Sequence, residues 1–369
     1  MMPPTQPLIP PAPGTEEAQA AEAEDRISVP PAVLPEPPTT VEPVAAPVAG
    51  RGGLDWIDFI GKLGPVIGLI FVLGLFSVLR PSTFFTFDNV QLILLQTAVV
   101  VTAALGMTMI IISGGIDLSV GSNIALCTVV IALLLAKGLP PVVAAAGGML
   151  TGALCGLLIS FLITRLHLSP FIVTLGMWGA LRGAAKGLAK EQMVQAPSTW
   201  LNGLLNTLSE EQRWMLVPPG VWMMLVLAIF VSALLRYTRF GRHIFAIGSN
   251  EQTARLCGVA VEPTKLLIYT VAAAFAGLAG VLQFSYLTVG DPTTAAGYEL
   301  DIIAAVVIGG ASLAGGQGSI FGTLVGAMIM TSVSNGCTKM DFPNWVQEIV
   351  TGGIIVFAVA LDRFRHRTG

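Results

Sequence analysis

Charged side chains are scarce in this chain. They make up 11% of its 369 residues, where a soluble domain carries roughly 25%. A soluble chain of this length would need more charge to cover its surface, so most of this one must face lipid. A mean hydropathy of +0.78 agrees. Cysteine and histidine are scarce too. Cys127, Cys155, Cys257 and Cys337 lie far apart, and His167, His243 and His366 do not pair with them at metal-ligand spacing. No metal site or cofactor is implied. No G-x-x-x-x-G-K-[ST] loop is present to cradle nucleotide phosphates, and no Ser/His/Asp group converges as a membrane enzyme would need. Nothing in the charge pattern suggests nucleic-acid binding.

The net charge of -3 is unevenly spread. Residues 1–50 hold seven acids against Arg26 alone. Removing those from the 22 acidic and 19 basic residues leaves 15 and 18, so the remainder is mildly basic. The same 50 residues carry thirteen prolines. They cannot bury enough apolar surface to offset chain entropy, and they lack the basic start and apolar core of a signal peptide. Residues 1–52 are therefore expected to form a disordered cytosolic tail, with 53–369 as the membrane domain.

Within that domain the chain is a series of apolar runs. Crossing ~30 Å of hydrocarbon takes ~20 helical residues. The runs 61–79, 90–112, 118–136, 141–164, 170–188, 217–235, 266–287, 300–314, 318–337 and 345–361 predict an all-α polytopic protein with about ten spans. The 300–314 run is short and 170–188 is interrupted by glycine. Short or broken helices in transporters usually surround a pathway. The segment 236–265 carries Arg236, Arg239, Arg242, Arg255 and Lys265, and the C-terminus carries Arg363, Arg365 and Arg367. The positive-inside rule puts both in the cytosol. Four intervening spans allow that, and six preceding spans put the N-terminus there as well. Residues 189–216, with Trp200 and Trp214, then form the largest external loop.

In the basic segment, Ser249 and Gln252 have capping-box spacing. Glu251 suits the positive end of a helix dipole, and Gly258 supplies a left-handed stop. The expectation is a short helix outside the membrane, either a docking element for a soluble partner or an inert surface helix. Asp117 follows two glycines and precedes an apolar run. It is either the N-cap of the next helix or a pathway residue, since an ionisable group among membrane spans is costly. Glu299 and Asp301 sit at the start of the 300–314 run and are either helix-start stabilisers, where the dipole favours acids, or pathway residues. Arg182 either snorkels to the interface or holds a gate by pairing with an acid. Gly309-Gly310-Ala311-Ser312-Leu313 echoes Gly114-Gly115-Ile116-Asp117-Leu118. By span count the two lie on one side, and close helix packing through glycine explains the echo as well as a repeat would.

Four blocks together resemble the permease subunits of ribose-type ABC sugar importers. They are Gly106-Met107-Thr108 leading to Ile112 through Ser122, and Pro170-Phe171-Ile172 with Thr174-Leu175 and Arg182-Gly183. The third is Thr238-Arg239 with Gly241-Arg242, Ala246, Gly248 and Asn250, and the fourth runs from Gly297 to Gly316. The resemblance implies a translocation subunit without its own ATPase site. It implies a coupling helix at Ser249, Asn250, Glu251, Gln252, Thr253, Ala254, Arg255, Leu256 and Gly258, docked on a cytosolic ATP-binding subunit. A second permease copy, an extracytoplasmic sugar-binding protein, a bacterial inner membrane and a monosaccharide such as ribose, xylose or galactose follow as expectations. Pathway or gate candidates are Asp117, Ser119, Thr174, Arg182, Glu299 and Asp301. Ser249 and Cys257 stand where the family often has Gly and Ser, and 184–192 departs from its glycine-bearing stretch, which leaves the sugar open. The competing class is an ion-coupled secondary transporter. It would need ion sites, with Asp117 the leading acid, but no capped docking helix.

Overall fold

The computed structural model describes residues 56–208 and 214–367. Twelve α-helices account for most of them. They are α1 (Trp56–Leu79), α2 (Phe87–Ile112), α3 (Val120–Ala136), α4 (Pro141–Arg165), α5 (Pro170–Leu188), α6 (Pro219–Tyr237), α7 (Arg239–Ser249), α8 (Glu251–Leu256), α9 (Val261–Leu287), α10 (Tyr298–Ile308), α11 (Ile320–Lys339) and α12 (Asn344–Arg367). Helix starts follow local chemistry. Thr86 and Ser319 side chains accept from Asn89 N and Gly322 N at α2 and α11. Proline opens α4, α5 and α6 at their first positions, where an N–H would be unpaired anyway.

By length and composition, α2, α4, α6, α9 and α11 can each cross a membrane, and shorter apolar stretches lie in α1, α3 and α12. The all-α polytopic expectation holds. The 1–52 tail lies outside the described residues.

α2 sits at the centre. It is apolar on every side, as a helix buried all round must be, and it packs on α9, α11, α10 and α6. α4 and α6 stay mostly uncovered, with Leu150, Ile229 and Phe230 exposed, which suits contact with lipid. α4 crosses α9 through Gly152 and Gly156, a small-xxx-small pair that lets backbones touch, while Gly148 faces Ile131 of α3. A Cβ on Gly152 would lie 2.6 Å from Ala273 O and 2.9 Å from Gly277 Cα. Gly152→Leu is therefore expected to cost about 1–3 kcal/mol by overpacking, read as a lower Tm in detergent. An unchanged Tm would mean that this crossing is not tight.

Several element ends differ from expectation, and two of them bear on the site. The run 300–314 is not helical throughout: α10 has 11 residues and stops at Ile308. At 1.5 Å per residue it spans about 16 Å, half a bilayer core. Likewise α3 begins at Val120, not 118.

Both short helices start deep in the bundle. Asn123 Nδ2, in the first turn of α3, donates to Ala273 O at 3.5 Å. Ala273 lies near the middle of the 27-residue α9, about 18 Å from its first residue. From the far end of α9 the chain turns back. Gly290 packs on Ala132 and Val129 of α3, while Ala295 and Glu299 reach Gly121 at the start of α3. The segment 288–297 thus descends along α3 and delivers the N-terminus of α10 beside that of α3. At its upper end it pairs antiparallel with 194–195, in the register Val194↔Gly290 and Gln195↔Val289.

Candidate functional site

The basic segment 236–265 folds as two helices, not one. α7 is capped by Thr238, whose hydroxyl accepts from Gly241 N at 3.1 Å, and it buries Gly241, Ile244 and Ile247. α8 follows, and its cap is Asn250, whose Oδ1 accepts from Thr253 N at 2.8 Å. The expected capping box of Ser249 with Gln252 is corrected accordingly, because Ser249 is still the last residue of α7. Once α7 claims Ser249, the next residue able to cap takes over. Gly258 has φ +85°, and Gly258 N and Val259 N return to Arg255 O and Ala254 O at 3.0 Å each. That is the left-handed stop expected there.

Glu251 and Arg255 serve the fold of this element. Glu251 pairs with Lys265 at 2.6 Å and with Arg255 at 3.6 Å, and Arg255 also pairs with Glu262. The bond to Glu262 holds the Arg255 guanidinium above its ordinary value. α8 is thereby tied to the first turns of α9, with Ala254, Ile247 and Val261 packed beneath. Gln252, Thr253 and Leu256 face outward, and Leu256 is 89% exposed.

The end of α7 is wedged into the bundle. A Cβ on Gly248 would lie 1.7 Å from Ile112 O and 2.6 Å from Gly316 N. Gly316 N donates to Ile112 O at 2.8 Å, and Gly315, at φ +90°, approaches Gly248 O and Gly114 Cα. Three pieces therefore meet here: the tip of α7, the C-terminus of α2, and the loop that follows α10.

At mid-depth the structure gathers most of the predicted pathway residues. Asp117 is buried, and its Oδ1 accepts from Ser119 N at 2.8 Å and Ser119 Oγ at 2.6 Å. It does not reach the amides of α3, so the expectation of a helix N-cap is corrected: Asp117 closes the turn before the helix. Thr174 Oγ1 donates to Pro170 O at 2.9 Å and lies 3.4 Å from Ile116 O, joining the first turn of α5 to that turn. Glu299 and Asp301 occupy the first turn of α10. Glu299 is buried and packs on Gly121, between the positive ends of two helices.

Arg182 Nη1 donates to Pro292 O at 3.0 Å and Thr294 O at 2.7 Å, so it grips the backbone of the descending segment, and among the described residues it makes no ion pair within 4 Å. Trp178, absent from the sequence reading, donates through Nε1 to Glu299 Oε1 at 3.1 Å. Its position one turn before Arg182 on the same helix face was the available signal.

These features define a polytopic transport subunit: the half-length α10 starts beside α3 at mid-depth among buried acids, and the tip of α7 is wedged against the end of α2 and the loop after α10. The family model described as branched-chain amino acid transport system / permease component matches residues 89–359, and the chain belongs to that family. It is 37% identical over 297 residues to the ribose import permease protein RbsC of Escherichia coli strain K12, covering 80% of this chain and 92% of the relative. It is 34% identical over 307 residues to the D-allose transport system permease protein AlsC of the same strain, covering 83% and 92%. Identity to the L-arabinose ABC transporter permease protein AraH of Azospirillum brasilense is 33% over 328 residues, covering 87% and 92%. No solved structure matches.

Proposed function

We propose that this chain is the membrane-spanning permease of an ABC importer that carries a monosaccharide into a bacterial cell, powered by a separate ATP-binding subunit. The printed substrates of its relatives, ribose, D-allose and L-arabinose, support the substrate class. The arginines around α7 and α8 support a cytosolic position for that end, with both termini on the same side and ten crossings. A second permease copy would complete the pathway, and an extracytoplasmic binding protein would deliver the sugar.

Residues 249–258 are the coupling element in this reading, and the observation that carries it is Leu256. A large apolar side chain on the apex of a helix held by three ion pairs suits burial in a pocket of a soluble partner. The wedge at Gly248 then carries the partner's movement to Ile112 and to the loop after α10. Asp117, Ser119, Thr174, Arg182, Glu299 and Asp301 line or gate the route.

Leu256→Asp is expected to cut recovery of the ATP-binding subunit by about 30-fold in a pull-down from detergent, the scale of a hot-spot loss near 2 kcal/mol. Glu251→Ala with Arg255→Ala should weaken recovery through loss of α8 geometry. If wild type recovers no ATP-binding subunit and the purified protein moves solute down an ion gradient, the reading is wrong.

A further inference from the structure

Four polar atoms along the descending segment lack a hydrogen-bond partner although they are shut off from solvent: Glu299 Oε2, Arg182 Nη2, Gln283 Oε1 and Ser122 Oγ. They form a connected neighbourhood. Gln283 Nε2 donates to Thr294 Oγ1 at 2.8 Å, and Thr294 O accepts from Arg182. Glu299 Oε2 packs on Gly121, next to Ser122 in the first turn of α3. A buried polar atom left without a partner costs about 1–3 kcal/mol, and such atoms are few in a folded protein. Four in one neighbourhood call for a ligand or a movement that satisfies them.

Their chemistry is mixed: two acceptors, one donor, and one hydroxyl that serves as either. A simple ion would satisfy one sign only. A polyol suits such a mixed set, because each hydroxyl both donates and accepts. Beside them stands Trp178, which already donates to Glu299 Oε1 and is 42% exposed. An indole offers a flat apolar face with a polar edge, which complements a sugar ring with C–H groups on one face and hydroxyls at its rim.

We propose that Glu299, Trp178 and Arg182 form a polyol-binding subsite of the pathway, shut in this conformation by the Trp178–Glu299 hydrogen bond. The inference rests on the monosaccharide reading above. An arriving sugar takes the place of the indole N–H at Glu299, and its hydroxyls occupy the free carboxylate oxygen and the free guanidinium N–H. Its ring rests on the released indole. Arg182 keeps its hold on Pro292 and Thr294, so the segment 292–299 stays in place while one side chain swings.

The test uses the assembled importer in liposomes, with ATP on the coupling-helix side and the binding protein opposite. Uptake of D-ribose, L-arabinose and D-allose is compared for wild type, Glu299→Gln and Trp178→Phe. Because the three sugars present hydroxyls differently, the variants should change the ratios of their uptake rates by ~10-fold. Recovery of the ATP-binding subunit should stay within about twofold, since neither side chain lies near α8. Glu299→Asp should restore part of the wild-type ratios. Equal slowing of all three sugars would show a latch that never touches sugar and would overturn the subsite, as would unchanged rates. Wild type that binds the ATP-binding subunit yet moves none of the three would instead overturn the monosaccharide reading, and the subsite with it.

Discussion

Gly248→Val is expected to stop uptake while leaving the ATP-binding subunit attached. A Cβ at this position would meet Ile112 O at 1.7 Å and Gly316 N at 2.6 Å. Both are backbone atoms, joined to each other by a hydrogen bond, so neither can swing aside as a side chain would. The tip of α7 must move away from the bundle instead. Overpacking costs about 1–3 kcal/mol or more, and that range is roughly a 5- to 150-fold change in coupling between two sites. α8 should survive, because its cap at Asn250 and its ion pairs to Lys265 and Glu262 lie beyond the wedge. Pull-down recovery near the wild-type level, with sugar-stimulated transport reduced ~100-fold and ATPase no longer linked to it, is the expected pattern. Loss of recovery together with transport would show that the glycine serves folding and not transmission.

Arg182→Met should loosen the descending segment. The substitution keeps an apolar stem of similar length but removes the donor to Pro292 O and Thr294 O. Hydrogen bonds to a charged group contribute about 1.5–3 kcal/mol each, and Pro292 and Thr294 are both buried. The lost grip should speed amide hydrogen exchange across 289–297 by roughly 10–100-fold, if one such bond's worth of local stability goes. Exchange in α2 and α9, whose packing does not involve Arg182, should be unchanged. Arg182→Lys should recover only part, because an ammonium lacks the planar fork that reaches two carbonyls at once. If exchange in 289–297 stays at the wild-type rate, the segment is held by its packing on α3 alone.

The helices were legible in the sequence because the strongest signal, a long apolar run, needs no partner to be read. Where the runs were short, the ends were not legible. α10 looked continuous to residue 314 because Gly309, Gly310, Ala311 and Leu313 are no more polar than a span. The helix stops at Ile308 because Gly310 turns left-handed at φ +93° and Ala311 N returns to Val306 O at 3.1 Å, while Gly309 packs on Gly322. Span length alone passes over such a glycine stop. α7 left a weak trace as well. Its buried face is only Gly241, Ile244 and Ile247 among basic neighbours, so the segment read as a loop with a single capped helix, and the cap was placed one residue early at Ser249.

Among the candidate residues, spacing picked out the acids at helix starts. Composition could not give their depth, which comes from α3 and α10 both beginning midway along α9. Trp178 carried no charge to draw notice. Its meaning emerges only when Glu299, 121 positions away in the chain, is folded against it.

The ribbon of Val194–Gln195 with Val289–Gly290 ties the loop after α5 to the segment that ends at Glu299. Its bonds run between main-chain groups, which every residue other than proline can supply. The side chains of Val194 and Gln195, a half-buried and an exposed position, are therefore free to drift over evolutionary time without cutting the tie. A chain built this way can rewrite the side chains on these strands while the tether between the two segments is inherited intact.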